Sequence, residues 1–398
     1  MAVGAAVGGA SRRLRLGGGS VIGGRAQLLV DPDALTDLTV GRPVYLVSGT
    51  NGKSTTTAFT AAALGTAGPV VTNTLGANMP AGLAATLATA APRETAVLEV
   101  DEHWLPSTIA KVRPRAVALL NLSRDQMDRT AEVRTLAGSW RAAVGGATDT
   151  HVVANADDPL VAWAALTART VTWVAAGQPW TDDAWSCPEC AGRLVFGPES
   201  WSCTGCDLAR PQPDVWLEGD GTIVATADGT RVPLHLQLPG RCNGANAATA
   251  VAIARVAGVP AAAAVDAAAR ITDVGGRYRV FDVGGTRARL LLAKNPAGWL
   301  EVLDLLSHDT LPVVIAINAR AADGRDPSWL WDVPFERLRG RQVVATGERS
   351  RDLAVRLAYA EVAHGHVPDI GAAIRSVQGP DMYVVANYTA FQAVRVLL

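Results

Sequence analysis

The sequence predicts an α/β protein. It has a phosphate-loop domain with a parallel sheet over residues 1–274, a cysteine-bearing insert at about 183–212, and a second, Rossmann-like α/β domain over 275–398. Three observations predict this. Val44–Thr57, VYLVSGTNGKSTTT, reads as strand, glycine-bearing loop and helix start. Short β-rich apolar runs alternate with alanine-rich helical stretches, the rhythm of βαβ units. Four of the five cysteines fall into two CxxC pairs.

Size and composition bound the answer. A chain of 398 residues, 49% hydrophobic and 18% charged, exceeds one ordinary core and can bury two or three. A net charge of −1 does not point to nucleic acid, although a local basic patch stays open. The opening MAVGAAVGGASRRLRLGGG puts its arginines after the apolar stretch, the reverse of a signal peptide. No apolar run reaches the ~20 residues of a membrane helix. A cytoplasmic protein without a transmembrane segment is expected. The Gly17–Gly24 cluster follows no strand and reads as a loop.

In chain order, Asp31–Leu38 reads as a short helix, Val44–Val47 as the first core strand and Thr55–Leu64 as the helix after the loop. Val70–Thr72, Ala96–Val100, Ala116–Leu120 and His151–Ala154 are further strands. Val215–Leu238 reads as a β meander turning at Gly219–Gly221 and Asp228-Gly229, and Asn243–Val256 as a helix. Gly275–Arg279 is the expected hinge. Beyond it Leu290–Leu292, Val313–Asn318, Gln342–Thr346 and Met382–Val385 supply strands, with a helix at Leu353–His364.

The loop carries the chemistry. Glycines let backbone N–H groups approach phosphate oxygens, Lys53 neutralises charge, and Ser54 offers a hydroxyl to Mg²⁺. The strict phosphate-loop pattern wants glycine at 47, where this chain has Val47. A loop lysine of this kind is expected to be solvated, so Lys53→Ala should spare the fold. Glu99-Val100-Asp101-Glu102 ends another strand. Three carboxylates there are explained by a Mg²⁺ site, the plainer reading being a solvated acidic loop. Asn121–Arg129, NLSRDQMDR, ends a third strand with the same logic. Asn73 lies in TNTLGANMP after a strand, and Gly240–Asn246 opens a helix whose amides could read an adenine edge.

Cys187-Pro-Glu-Cys190 and Cys203-Thr-Gly-Cys206 are two knuckles twelve residues apart. Such knuckles close a tetrahedral site, and four thiolates leave no open position, so structural zinc is expected. Disulfides are the alternative, disfavoured in a cytoplasmic setting. The segment is not basic, which favours a structural or docking knob whose loss leaves ATP binding intact. Cys242 reads as a small buried residue.

GTNGKSTTT resembles the ATP loop of Mur ligases and folylpolyglutamate synthases. With TNTLGANMP, EVDE, NLSRDQMDR, NADDP (Asn155–Pro159), the four-cysteine insert, GxxNxxN, KNPAG and SWLWD, the chain resembles the MurT subunits of lipid II isoglutaminyl synthase, relatives of the Mur ligases. The resemblance implies a Mur-ligase-like fold and ATP-dependent amidation of the D-glutamate α-carboxylate in the lipid II stem peptide. It also implies an acyl phosphate, with ammonia delivered by the glutaminase partner GatD. Lys53 would hold the phosphates, Ser54 and Glu99 would bind Mg²⁺, and Asn246 would lie near the adenine. Gly49, Thr50, Asn51, Gly52, Thr55, Asn73 and Arg277 would complete the nucleotide site. Asp332 would lend the glutaminase a carboxylate, with Asp323 and Asp326 as rivals. Trp329, Trp331 and Phe335 give Asp332 an aromatic setting.

The chain departs from the Mur ligases in three places. Gln126 stands where a histidine is usual, which weakens a second metal site. The hinge reads Gly276-Arg277-Tyr278-Arg279 without the usual glutamate. About forty residues precede the loop, so the amino-terminal substrate domain is expected to be absent, which suits a lipid-linked substrate. Two rivals remain: an amino-acid-adding ligase, and a non-enzymatic nucleotide-binding module that docks through the ribbon.

Overall fold

The computed structural model describes residues 20–73, 76–91, 93–125, 133–218, 222–274 and 278–397. Gln126, Asp128 and Arg129, the turn at 219–221, and Gly276 and Arg277 of the hinge lie outside them. The chain forms two compact units. The first holds the described residues through Val274, apart from Leu238–Arg241 and the segment beginning at Ser123, both of which group with the second.

The first unit is built on β1 (Val44–Ser48), β2 (Val70–Thr72), β3 (Thr95–Glu99), β4 (Ala116–Leu119), β5 (His151–Asn155) and β6 (Val171–Ala175). These pair in parallel in the order β6-β5-β4-β1-β3-β2. Every residue of β1 is buried, as helices on both faces of a parallel sheet require. Beyond β6 the sheet continues as the meander β9 (Val215–Glu218), β10 (Ile223–Thr226) and β11 (Arg231–Pro233), with β9–β10 and β10–β11 antiparallel. Because β1 sits between β3 and β4, its carboxyl end is a topological switch point, where open α/β sheets bind ligands.

The cysteine insert carries β7 (Leu194–Gly197) and β8 (Ser200–Cys203), an antiparallel hairpin. It is not a projecting knob. Cys187, Leu194, Trp201 and Leu208 are buried in the same apolar cluster as Leu46, Leu98 and Trp140.

The second unit has β12 (Tyr278–Val283), β13 (Thr286–Leu292), β14 (Val313–Ala316), β15 (Val343–Thr346), β16 (His364–His366) and β17 (Asp381–Ala386). The order is β12-β13-β17-β14-β15-β16, parallel except for the β12–β13 hairpin. That hairpin turns on Gly284 and Gly285, both with positive φ, which matches the twist of the flanking strands.

Three sequence expectations are corrected. Gly17–Gly24 is not all loop: Ser20–Val30 is a helix. Gly24 serves close packing there, since a Cβ would stand 1.8 Å from the Ala81 carbonyl oxygen. The helix expected at Leu353–His364 is Ser350–Tyr359, and His364–His366 is the edge strand β16. Cys242 is partly exposed rather than buried.

Candidate functional site

The loop after β1 turns through Gly49 (φ 152) and Gly52 (φ 83) into the 13-residue helix Lys53–Gly65. Gly52 needs glycine for its left-handed φ, and a Cβ there would lie 2.4 Å from Asn246 Oδ1 and push that amide aside. The first-turn N–H groups of such a helix lack intrahelical partners and favour an anion.

Lys53 is buried, not solvated, which corrects the expectation above. Its Nζ donates to Gly49 O at 2.6 Å, Thr50 O at 3.3 Å and Glu102 Oε2 at 2.8 Å. Both members of the ion pair have side chains about nine-tenths covered. Glu102 is itself anchored, its carbonyl accepting from Trp140 Nε1 at 2.9 Å. Two charges taken out of water hold each other in place, and removing either leaves the other uncompensated.

The three carboxylates after β3 do not converge. Glu99 accepts from Ser54 Oγ at 2.5 Å and from Asn78 Nδ2 at 3.0 Å. Glu102 takes Lys53, and Asp101 accepts from His103 N at 3.0 Å, with the His103 ring nitrogen 3.4 Å away. Asn73 clamps the Glu99 backbone, donating to its carbonyl and accepting from its N–H, each at 2.8 Å. Its amide is thereby turned inward. Thr55 is buried in the first helical turn. Asn246 Oδ1 accepts from Thr56 Oγ1 at 3.1 Å, which sets that amide against the loop and its helix. Arg277 lies outside the described residues.

Sequence reasoning missed Asn121 as a partner of the loop. Asn51 N donates to its Oδ1 at 2.9 Å, its Nδ2 donates to Asn51 O at 3.1 Å, and Thr50 N donates to its carbonyl at 2.9 Å. The only available signal was an amide residue at a strand end. NADDP, read only as a family motif, is a bracket. Asp158 Oδ1 caps the helix Pro159–Ala165 through Leu160 N and Val161 N, and its Oδ2 accepts from Leu122 N at 2.8 Å. Burial pushes the Asp158 carboxyl up to about 6, against the pull of those N–H donors.

The four cysteine Sγ atoms lie within 4.8 Å of one another, with Cys187–Cys206 at 3.7 Å and Cys190–Cys203 at 3.4 Å. Sulfurs about 2.3 Å from a central zinc in a tetrahedron lie about 3.8 Å apart, so the residues fit such an ion. Gly192 N and Gly205 N donate to the sulfurs of Cys190 and Cys203, and the Gly205 amide pulls the Cys203 thiol down to about 7. A Cβ on Gly192 would press on two sulfurs at 3.1 and 3.2 Å. Among the described residues this is the one His/Cys/Asp/Glu group close enough to hold a metal ion.

The three carboxylates of the second unit differ in setting. Asp323 is buried and accepts from Thr389 N at 2.8 Å and from the Thr389 hydroxyl. Asp326 accepts from Ser328 N at 2.9 Å. Asp332 ends the 3₁₀ turn Ser328–Asp332, with a side chain 37% exposed and 3.3 Å from an Arg124 guanidinium nitrogen. Of the flanking aromatics, Phe335 is buried against Trp299, whereas Trp331 is 54% exposed and meets Tyr359 edge to face.

A phosphate loop at a switch point, a carboxylate on its serine and a second α/β unit make the architecture of the ATP-dependent Mur-type ligases. Residues 47–184 match the Mur ligase middle domain, and 292–391 the MurT ligase C-terminal domain. A pseudomurein peptide ligase type C from Methanothermus fervidus superposes with TM-score 0.72 over 89% of this chain and 78% of its own, at 16% identity. MurF from Acinetobacter baumannii gives 0.67 over 92% and 78%, also at 16%. These two show the fold. The lipid II isoglutaminyl synthase (glutamine-hydrolyzing) subunit MurT of Streptococcus pneumoniae is 30% identical over 96% of this chain and 93% of its own length. The MurT subunit of Staphylococcus aureus strain N315 is 28% identical over 86% and 84%. The chain belongs to the MurT family. The amino-acid-adding rival is the more distant: a UDP-N-acetylmuramoylalanine–D-glutamate ligase of Thermosynechococcus vestitus is 26% identical over 72% of this chain.

Proposed function

We propose that this chain is the synthetase subunit of a glutamine-hydrolysing amidotransferase. It activates the D-glutamate α-carboxylate of the lipid II stem peptide with ATP and converts it to the amide, D-isoglutamine. The observation that carries the reading is the charged cradle after β1: Lys53 on Gly49 O, Thr50 O and Glu102, beside the Ser54–Glu99 pair.

A carboxylate is a poor electrophile, and phosphorylation to an acyl phosphate supplies a leaving group. Lys53 places a fixed positive charge at the head of a helix, where transferred phosphoryl oxygens gather negative charge. The Ser54 hydroxyl and the Glu99 carboxylate are hard oxygen donors of the kind Mg²⁺ takes, and that ion would neutralise phosphate charge. The thiols of Cys187, Cys190, Cys203 and Cys206 suit zinc, which would be structural since no coordination position stays open. Gly49, Thr50, Asn51, Gly52 and Thr55 frame the phosphates, Asn73 positions Glu99, and Asn246 braces the loop near the adenine.

With four cysteines committed to metal, ammonia must come from a glutaminase subunit of the GatD type. Asp332 suits the lending of a carboxylate to that partner. It is half exposed, while Asp323 is consumed by Thr389. The Trp331–Tyr359 pair beside it is the kind of aromatic surface an interface buries. No helix among the described residues is long and apolar enough to cross a membrane. The proposed place of action is the inner membrane face, where lipid II presents its stem peptide.

The test is to co-purify the chain with its glutaminase and assay lipid II amidation with glutamine or free ammonia. ATP-dependent amide formation with both is the expected outcome. Incorporation of an amino acid instead would select the ligase rival. No nucleotide turnover with substrate would leave a binding module. Metal analysis under reducing conditions should find one zinc per chain, and none in Cys203→Ser.

A further inference from the structure

We propose that the cysteine ribbon positions the phosphate loop through a hydrogen-bonded relay centred on Asn121, and thereby sets nucleotide affinity. The proposal rests on the nucleotide reading of the loop given above.

The relay has three tiers, all within the first unit. The ribbon grips the turn after β5 twice. Trp201 Nε1 donates to Ala156 O at 2.8 Å, and Arg210 Nε donates to Asp157 Oδ1 at 2.6 Å. The same turn grips the end of β4 on both sides of Asn121. Asn155 Nδ2 donates to Leu120 O at 2.9 Å, and Asp158 Oδ2 accepts from Leu122 N at 2.8 Å. Asn121 in turn holds Thr50 and Asn51 through its carbonyl and its side-chain amide. The tiers are buried where it matters, Trp201 being 4% exposed and Asp158 fully covered. Low local dielectric strengthens such networks and makes each broken bond costly. An insert expected to be separable from the nucleotide site is thus bonded to the strand end that shapes it.

Asn121 is a positioning residue: it holds loop backbone rather than ligand. Losing its two side-chain bonds to Asn51 should weaken binding of a fluorescent ATP analogue about tenfold, and losing either ribbon bond by about threefold to fivefold. The variants are Asn121→Ala, Arg210→Ala and Trp201→Phe, the last keeping a ring in the ribbon core while deleting the donor. KM for ATP should rise with kcat held, and zinc content should stay at one per chain. Because the ribbon acts partly through the Asn121 side chain, the loss in the double variant Trp201→Phe/Asn121→Ala should fall short of the product of the two single losses.

Wild-type nucleotide affinity in Trp201→Phe with zinc retained overturns the relay, as does a double variant in which the two losses multiply. Should Arg210→Ala fail to fold, Trp201→Phe carries the test. Lys53→Ala separates the two readings. Normal analogue binding by Lys53→Ala would remove the nucleotide assignment itself. Loss there, with no change in Trp201→Phe, would remove only the relay.

Discussion

Glu99–Glu102 after β3 and Asp323–Asp332 after β14 are alike as sequence: each sets three carboxylates downstream of a core strand. Their fates differ. After β3 two of the three are buried and engaged, Glu102 by Lys53 and Glu99 by Ser54 and Asn78. After β14 the buried member, Asp323, is spent on Thr389, while Asp326 and Asp332 both face solvent, and of these two it is Asp332 that has exposed aromatic neighbours. The carboxylates after β3 are buried against a cation and a hydroxyl of their own unit. A half-exposed carboxylate beside exposed aromatics stays within reach of solvent, as the proposed loan to a partner requires. Acid density along the chain distinguishes neither case, whereas burial and partners distinguish both.

The sharpest way to break that comparison is Lys53→Ala. Loss of the charge at the cradle should cut amidation by about 100- to 1000-fold. Glu102 is then left buried and uncompensated, so stability should also fall by about 3 kcal/mol, seen in a denaturant midpoint. Adding Glu102→Gln should recover most of that stability and none of the activity. Undiminished amidation by a folded Lys53→Ala would end the ATP-site assignment.

Asp332→Asn probes the other side. Glutamine-dependent amidation should drop about a hundredfold or more if, as proposed, Asp332 orients an imidazole of the partner. Amidation fed by free ammonia should stay close to wild type. Equal loss with both nitrogen sources would place Asp332 in the synthetase site instead. Full glutaminase activity would move attention to Asp326.

Asp323→Ala should behave oppositely to Asp332→Asn. It strips the partner from Thr389 N and the Thr389 hydroxyl, at a cost of about 1–3 kcal/mol in chemical denaturation. The folded fraction should retain glutaminase coupling. A stable but uncoupled Asp323→Ala would reverse the ranking of the two residues.

The last effect, seen only as a pH dependence, concerns Asp158, a buried carboxylate outside both stretches. Its native pKa, about 6, lies above the usual carboxylate value of about 4. Between those values the native state binds more protons than the unfolded chain, so stability falls as pH rises through that window and levels off above it. Asp158→Asn should flatten this slope relative to wild type, by up to about 3 kcal/mol between pH 4 and 7. An unchanged slope in paired denaturation curves would mean that Asp158 ionises normally.

Much of the fold was legible because its signals are local. Strand, glycine turn and lysine-led helix occupy fourteen consecutive residues, Val44–Thr57, and two CxxC knuckles declare their own geometry. Most strands of both sheets were read from short β-rich runs. The helix Ser20–Val30 was hidden because its glycines look like loop composition until Ala81, far along the chain, is seen to need the space at Gly24. The edge strand β16, only three residues long, was absorbed into a helical pattern.

By itself the sequence determined the local patterns: a glycine-bearing loop before a lysine-led helix, four cysteines paired for a metal, and carboxylates that follow a strand. Those follow from residue types at short fixed spacings, which backbone geometry turns directly into local structure. Only the tertiary structure decided which carboxylate meets which partner. It buried Lys53 against Glu102, forty-nine residues on, and tied Trp201 and Arg210 to the turn at Ala156–Asp157. It also set Asn121 on the loop seventy residues before it. Such pairings depend on strand order and on desolvation at the switch point, and neither quantity is written at any one position of the chain.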